Sequence, residues 1–193
     1  MKTTDLVKTL EVCRRALYSA EDLRKLLGTG NDNTFYKTLE RALKAGFLVR
    51  LSKGKYATWA RRPETFELAN FLYAPSYVSL ESALNFHGIL IQTPYRVSSV
   101  TPLRGRTIAV SGQEFAYVHL SHELYYGFVR KGTFVIATKE KALLDTLYLA
   151  SKGLRAIERS DLDLSDLDQA KLLSMAKRTG KEKLIAFAKG FLK

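Results

Sequence analysis

Apolar residues in the first third of the chain recur every three or four positions and then alternate with polar ones, which indicates helices followed by short strands. A first helix is predicted from Thr4 to about Arg14. Ser19, followed three residues later by Asp22, is typical of a capped helix start, and the segment Gly28-Thr29-Gly30 ends that second helix. The turn is short enough to hold two helices together.

A third helix is predicted from Asn33, and Gly46 ends it. It is amphipathic, because one face is polar and basic while the other carries Phe35, Leu39, Ala42 and Leu43. Two strands, Phe47 to Leu51 and Lys55 to Trp59, are then predicted on either side of the turn Ser52-Lys53-Gly54. This order predicts a winged helix-turn-helix DNA-binding domain over residues 1–60.

In such a domain the second helix of the motif lies in the major groove and the hairpin meets phosphates. The polar face of the third helix and the hairpin tip therefore supply the candidate DNA-binding residues. They are Asn33, Thr34, Lys37, Thr38, Arg41, Lys44, Lys53 and Lys55. A basic helix face that is merely solvated, or that binds protein, is the alternative.

The distribution of charge supports nucleic acid as a partner. The 193-residue chain has a formal net charge of +12, and residues 1–62 hold 14 Lys and Arg against 6 Asp and Glu, a net +8. This concentration within the helix-turn-helix segment favours DNA over a membrane. A hydrophobic content of 46% is enough for packed cores, and two domains are expected.

The sequence also predicts where the protein works. It lacks an uninterrupted apolar stretch of about 18 residues and a signal-peptide core near its N-terminus. The single cysteine, Cys13, cannot form an intramolecular disulfide and is expected to be a small buried core residue. A cytoplasmic protein with no membrane association is expected.

A second domain is predicted over residues 64–193, after the charged, proline-containing segment Ala60 to Glu64. Five short strands, rich in β-branched and aromatic residues, indicate a small, mainly antiparallel sheet. They are Val97 to Val100, Thr107 to Val110, Phe115 to Leu120, Tyr125 to Val129 and Thr133 to Ile136. The predicted helices are Thr65 to Tyr73, Leu80 to Phe86, Lys139 to Ala150, Asp166 to Lys177 and Lys181 to Phe191, with caps at Ser79, Thr138 and Ser165. The predicted class is α+β.

Motifs for catalysis, metals or cofactors are weak. His119 and His122 lack a clear third and fourth metal ligand, and on a strand end they would point to different sides. The acidic run from Asp161 to Asp168 has Asp166 where a calcium loop needs glycine. We therefore predict no catalytic residues, no metal and no cofactor, and rank an enzyme last among the functions considered.

Two segments of the second half, residues 75–88 (PSYVSLESALNFHG) and 138–148 (TKEKALLDTLY), resemble the most recognisable segments of the AbiEi-like antitoxins of abortive-infection type IV toxin-antitoxin systems. The resemblance extends over nearly the whole chain, since that family joins an N-terminal winged helix to a C-terminal antitoxin domain. Many relatives have proline where this chain has Thr138, which is itself a good helix cap.

The resemblance implies a phage-defence antitoxin that represses its own operon and neutralises a cognate nucleotidyltransferase-like toxin. The partners would be operator DNA, probably as an inverted repeat, and the toxin. The basic residues in or beside predicted turns of the second domain are weak candidates for an antitoxicity surface. They are Arg104, Arg106, Arg130 and Lys131.

Within the second segment, Lys139, Glu140, Lys141 and Asp145 are expected to form ion pairs on a helix surface. Nothing in the residues alone requires a toxin. The alternative function is a winged-helix repressor whose C-terminal domain senses an unidentified ligand or protein.

Overall fold

The computed structural model describes residues 3–28 and 30–192, and divides the chain into two compact units, Met1–Leu72 and Tyr73–Lys193. The division falls later than the segment 60–64 that the sequence suggests. The helix before it belongs to the first unit, because Leu68 and Phe71 pack against the buried residues Ala16, Leu17 and Ala57. Each unit is described by itself.

The helices of the first unit begin close to where their capping residues predict. They are α1 (Thr3–Cys13), α2 (Ala20–Leu27), α3 (Asp32–Lys44) and α4 (Thr65–Leu72). The Ser19 hydroxyl accepts a hydrogen bond from the backbone N–H of Asp22 (3.0 Å), and the Asp22 carboxylate accepts one from the backbone N–H of Ser19 (2.9 Å). This reciprocal pair confirms the predicted cap. The α2 helix ends at Gly28 with a φ of 60°; the next residue, Thr29, lies outside the described residues.

In the described part of the first unit, three antiparallel strands form a sheet in the order β1-β3-β2. The strands are β1 (Leu17–Ser19), β2 (Leu48–Ser52) and β3 (Lys55–Thr58). The β2–β3 hairpin follows the prediction to within one residue at each end, whereas β1 was not predicted. The core is formed by the apolar faces of the helices, with Leu6, Leu10, Leu23, Phe35 and Leu39 all buried.

The prediction that Cys13 is buried is wrong. Cys13 is the last residue of α1 and is exposed. The core contacts of that helix come from Leu6 and Leu10, which are four residues apart and lie on one face.

The second unit contains a mixed sheet, which within the described residues has six strands in the order β6-β7-β5-β4-β9-β8. The strands are β4 (Tyr77–Val78), β5 (Val97–Thr101), β6 (Arg106–Val110), β7 (Gln113–His119), β8 (Phe128–Lys131) and β9 (Phe134–Ala137). Among those strands, three of the five pairings are antiparallel, while β5–β7 and β4–β9 are parallel. The strands β6 and β8 are the edges of this sheet.

The helices of the second unit are α5 (Leu80–Phe86), α6 (Lys139–Ser151), α7 (Gln169–Arg178) and α8 (Glu182–Phe191). The α6 helix is buried over most of its length and contacts all three of the others. The Thr138 side chain caps α6 as predicted, but Asp168 rather than Ser165 caps α7. Both units combine helices with sheet, so the fold is α+β. Among the described residues, all helices are too short or too polar to cross a membrane.

Candidate functional site

One face of α3 is exposed and basic. Asn31 caps the helix by accepting a hydrogen bond from the Thr34 N–H (3.2 Å), and the buried Phe35, Leu39 and Ala42 fix its rotation about its own axis. The opposite face therefore faces solvent. Five of the predicted residues lie exposed on it: Asn33, Thr34, Lys37, Arg41 and Lys44.

The sixth helix candidate, Thr38, does not belong to this face. Its side chain is buried, with 4% exposure, and its hydroxyl donates a hydrogen bond to the Thr34 carbonyl oxygen (2.9 Å). Thr38 follows Phe35 by three residues, which places it on the core side of the helix. Its assignment as a DNA-binding residue is corrected accordingly.

Two residues of the exposed face were missed. Glu40 forms an ion pair with Lys44 (2.8 Å), and this ammonium group holds the pKa of the Glu40 carboxyl below its ordinary value. Tyr36 is 58% exposed and its ring meets that of Phe35 edge to face. The helical spacing of Glu40 from Lys37 and Lys44 was a usable signal, since residues three and four apart are neighbours on a helix surface.

The two lysines of the β2–β3 hairpin differ in their surroundings. Lys53 is exposed in the turn. The Lys55 ammonium donates hydrogen bonds to the carbonyl oxygens of Phe71 (2.7 Å) and Leu72 (2.6 Å), the last two residues of α4. Carbonyl groups at a helix end lack partners within the helix and attract a cation. Lys55 therefore binds the end of α4, and its assignment as a phosphate contact is corrected.

The four basic residues suggested as an antitoxicity surface do not form one surface. Arg106 lies on the edge strand β6, with Arg104 just before it, whereas Arg130 and Lys131 lie on the opposite edge strand, β8. Five inter-strand steps separate the two edges, which corresponds to roughly 24 Å. The Arg106 guanidinium lies over the Tyr73 ring and the Lys131 ammonium over the Phe86 ring, each 5.0 Å from the ring centre.

A buried polar cluster joins the two segments that carry the family resemblance. Lys141 and Asp145 of α6 form an ion pair with side-chain exposures of 0% and 2%. Tyr77 donates a hydrogen bond to Asp145 (2.9 Å) and accepts one from Lys141 (3.0 Å), and Ser79 also donates to Asp145 (2.8 Å). The prediction of a surface pair is wrong here, because neighbouring elements cover α6. Ser79 consequently binds Asp145 and makes no side-chain cap for α5.

The electrostatics of this cluster follow from its burial. Burial raises the pKa of Asp145, and the charge of Lys141 opposes that rise. Burial, together with the nearby Asp145 carboxylate, also raises the pKa of the Tyr77 hydroxyl, which therefore remains a hydrogen-bond donor at neutral pH. The Lys141 ammonium additionally lies over the Tyr126 ring at 5.1 Å. The cluster is dry and paired.

The remaining charged residues at the start of α6 are paired with α7 or with the loop before it. The Glu140 carboxylate is buried and contacts the Lys171 ammonium (2.9 Å), while Lys139 contacts Asp166 (3.7 Å) nearer the surface. Close packing continues at Gly127, where an added Cβ would lie 3.0 Å from Cγ of Lys141. Glycine is needed there on two grounds, because its φ is also positive, at 76°.

The histidines are engaged with backbone carbonyl groups. A ring nitrogen of His119 lies 2.9 Å from the Leu103 carbonyl oxygen, and Nε2 of His87 lies 2.8 Å from that of Ala137. Burial lowers the pKa of His87. In the part of the chain that the structure describes, no group of three or more His, Cys, Asp or Glu side chains is placed to hold a metal ion.

A cleft of about 380 Å³ lies in the second unit, a volume within the range of small-ligand sites. It is lined by Glu81, Pro94, Tyr95, Arg96, Ser98, Glu114 and Arg155. Glu81 and Arg155 form an ion pair across it. Both signs of charge are represented in the lining.

Comparison with known proteins identifies a shared fold. No family model and no curated protein matches this chain. The crystal structure of the RV2827C protein from Mycobacterium tuberculosis is similar, with a TM-score of 0.61 and 18% sequence identity. The match covers 98% of this chain and 80% of the mycobacterial one. The α+β architecture is therefore found in a solved structure.

Proposed function

We propose that the first unit is a winged helix-turn-helix domain that binds operator DNA. Helices α2 and α3 are the two helices of the motif, α3 is the recognition helix, and the β2–β3 hairpin is the wing. The single observation that carries this proposal is the exposed face of α3, where Lys37, Arg41 and Lys44 accompany Asn33 and Thr34. Side chains of this kind hydrogen-bond to base edges and phosphates.

The chemistry of the face suits a DNA groove. Arg41 and Asn33 can each make paired hydrogen bonds to base edges, to guanine and to adenine respectively. Lys53 at the tip of the wing is placed for a phosphate. The net charge of +8 in residues 1–62 would attract DNA over a distance of about 10 Å at moderate salt. Binding should therefore weaken steeply as salt is added.

We propose further that the chain is an antitoxin of a type IV, abortive-infection system. It would repress its own operon through the winged helix and neutralise a nucleotidyltransferase-like toxin through the second unit, without being an enzyme itself. The support is the resemblance of residues 75–88 and 138–148 to AbiEi-like antitoxins. Tyr77, Ser79, Lys141 and Asp145 of those segments contact one another, so the segments serve one structural purpose.

The test uses the full chain in cells that express the adjacent open reading frame. The wild-type protein should rescue growth and repress a reporter carrying the operon promoter. The double variant Lys37→Ala, Arg41→Ala should still rescue growth but lose repression, because both side chains lie on the recognition helix. If the neighbouring gene product is harmless, the antitoxin proposal fails while the repressor proposal remains open to the reporter assay.

A second candidate function is a winged-helix repressor whose second unit senses a ligand or a protein. The cleft lined by Glu81, Arg96, Glu114 and Arg155 favours it, since small molecules bind in concave sites with a few convergent polar groups. A harmless neighbour together with operator binding by the full chain would make this the better account.

A further inference from the structure

Glu40 occupies the middle of the exposed face of α3. Successive residues of a helix are about 100° apart around its axis. On that spacing Glu40 lies opposite the buried Phe35 and Ala42, and between Lys37 and Lys44. Its side chain is 63% exposed, so the carboxylate stands at the surface that would enter a groove.

A carboxylate at this position is unfavourable for general DNA binding. It accepts hydrogen bonds and carries a charge of the same sign as the phosphates. In the major groove, guanine presents only acceptors, and thymine an acceptor and a methyl group, so neither can pair with it. Donors come only from the amino groups of cytosine and adenine. Adenine also presents the acceptor N7 beside its amino group, which a carboxylate would oppose.

We propose that Glu40 is a specificity-determining residue that accepts a hydrogen bond from the N4 amino group of a cytosine in the operator. Lys37 and Lys44, which flank Glu40, are suited to the guanine O6 and N7 acceptors that accompany a C·G pair. The assignment rests on the proposed function of α3 as a recognition helix. It adds the kind of base pair that the centre of the helix selects.

The Glu40–Lys44 pair has a matched counterpart elsewhere in the first unit. Glu21 and Lys25 of α2 are also four residues apart, with a distance of 2.6 Å and similar exposure. A purely structural ion pair would behave alike in both helices, contributing little to stability and nothing to base preference. The variant Glu21→Gln is therefore the control for Glu40→Gln.

The experiment selects binding sites from a randomised duplex library with the full wild-type chain, Glu40→Gln and Glu21→Gln. The wild type and Glu21→Gln should enrich the same motif, with a C·G pair at one position of each half-site. Replacing that pair should weaken wild-type binding between about 5-fold and 150-fold, the range of a good base contact. The Glu40→Gln chain should lose most of this discrimination and bind unrelated duplexes more tightly.

The outcomes separate the two levels of the proposal. A Glu40→Gln chain that enriches the wild-type motif with undiminished discrimination would overturn the role of Glu40 and leave the DNA-binding function standing. A wild-type motif without a C·G preference that depends on Glu40 would do the same. A wild-type chain that binds no duplex in a salt-dependent manner would overturn both.

Discussion

Replacing Asp145 with asparagine should destabilise the second unit severely. The substitution keeps the shape of the side chain but removes the negative charge that faces the Lys141 ammonium, whose side chain has 0% exposure. The Tyr77 hydroxyl and the aromatic ring of Tyr126 would be left as the principal partners of this charge. Removing one partner of a buried ion pair costs about 3–5 kcal/mol.

That cost is a large part of the stability of an ordinary domain, which is about 5–15 kcal/mol. Urea denaturation followed by far-ultraviolet circular dichroism gives the change in free energy of unfolding. Hydrogen exchange over residues 139–151 tests whether the loss falls on α6. The matched control is Lys139→Gln in the same helix, which breaks an exposed pair with Asp166 and should cost at most about 1 kcal/mol.

A double variant tests the cause. Asp145→Leu with Lys141→Met removes both charges together and should be much closer to wild type than Asp145→Asn, because no unpaired charge stays buried. A loss for Asp145→Asn as small as that for Lys139→Gln would refute the reasoning. So would a double variant that is less stable than Asp145→Asn.

Further predictions concern the first unit. Lys37→Ala with Arg41→Ala should weaken operator binding and lower the slope of log affinity against log salt by about 2, measured by mobility-shift titration; an unchanged slope would contradict their contact with phosphates. Lys53→Met should weaken DNA binding without changing stability, whereas Lys55→Met should lower the unfolding midpoint without changing DNA affinity, because its ammonium binds the end of α4. The reverse pattern would restore Lys55 as a DNA contact. Burial raises the pKa of Asp22, but its hydrogen bonds with Ser19 outweigh this and leave the folded-state pKa below the ordinary value of 3.8. Asp22 therefore stabilises the fold above that value and loses this contribution as the pH falls through its lower folded-state pKa; Asp22→Asn should flatten this acid limb in a series of urea titrations, and a limb of unchanged steepness would exclude Asp22 as its source.

Features with a local cause could be predicted from the sequence. The Ser19 and Thr138 caps depend on side chains that bond to backbone groups three residues away, so the spacing alone identifies them. The β2–β3 hairpin is similarly determined by a turn between two apolar runs. Strands β1 and β4 escaped prediction because segments of two or three residues show no periodicity and exist only through pairing with distant strands.

The site was predictable only as far as a helical face can be drawn. Spacing placed Lys37, Arg41 and Lys44 on the exposed side of α3 correctly. It could not show that Lys55 would bind carbonyl groups sixteen and seventeen residues away. Nor could it distinguish an exposed i, i+4 pair such as Glu40–Lys44 from the buried Lys141–Asp145, since both have the same spacing. Burial depends on which elements surround the helix.

The charged edges of the six-stranded sheet have a consequence for the behaviour of the protein in concentrated solution. An edge strand offers unpaired backbone groups to any other strand, and natural sheets discourage such pairing with Lys and Arg side chains. Arg106 on β6 and Arg130 and Lys131 on β8 provide that protection at both edges, and the exposed Val129 would otherwise be an attractive contact. These basic residues thus keep sheets of neighbouring molecules from joining edge to edge.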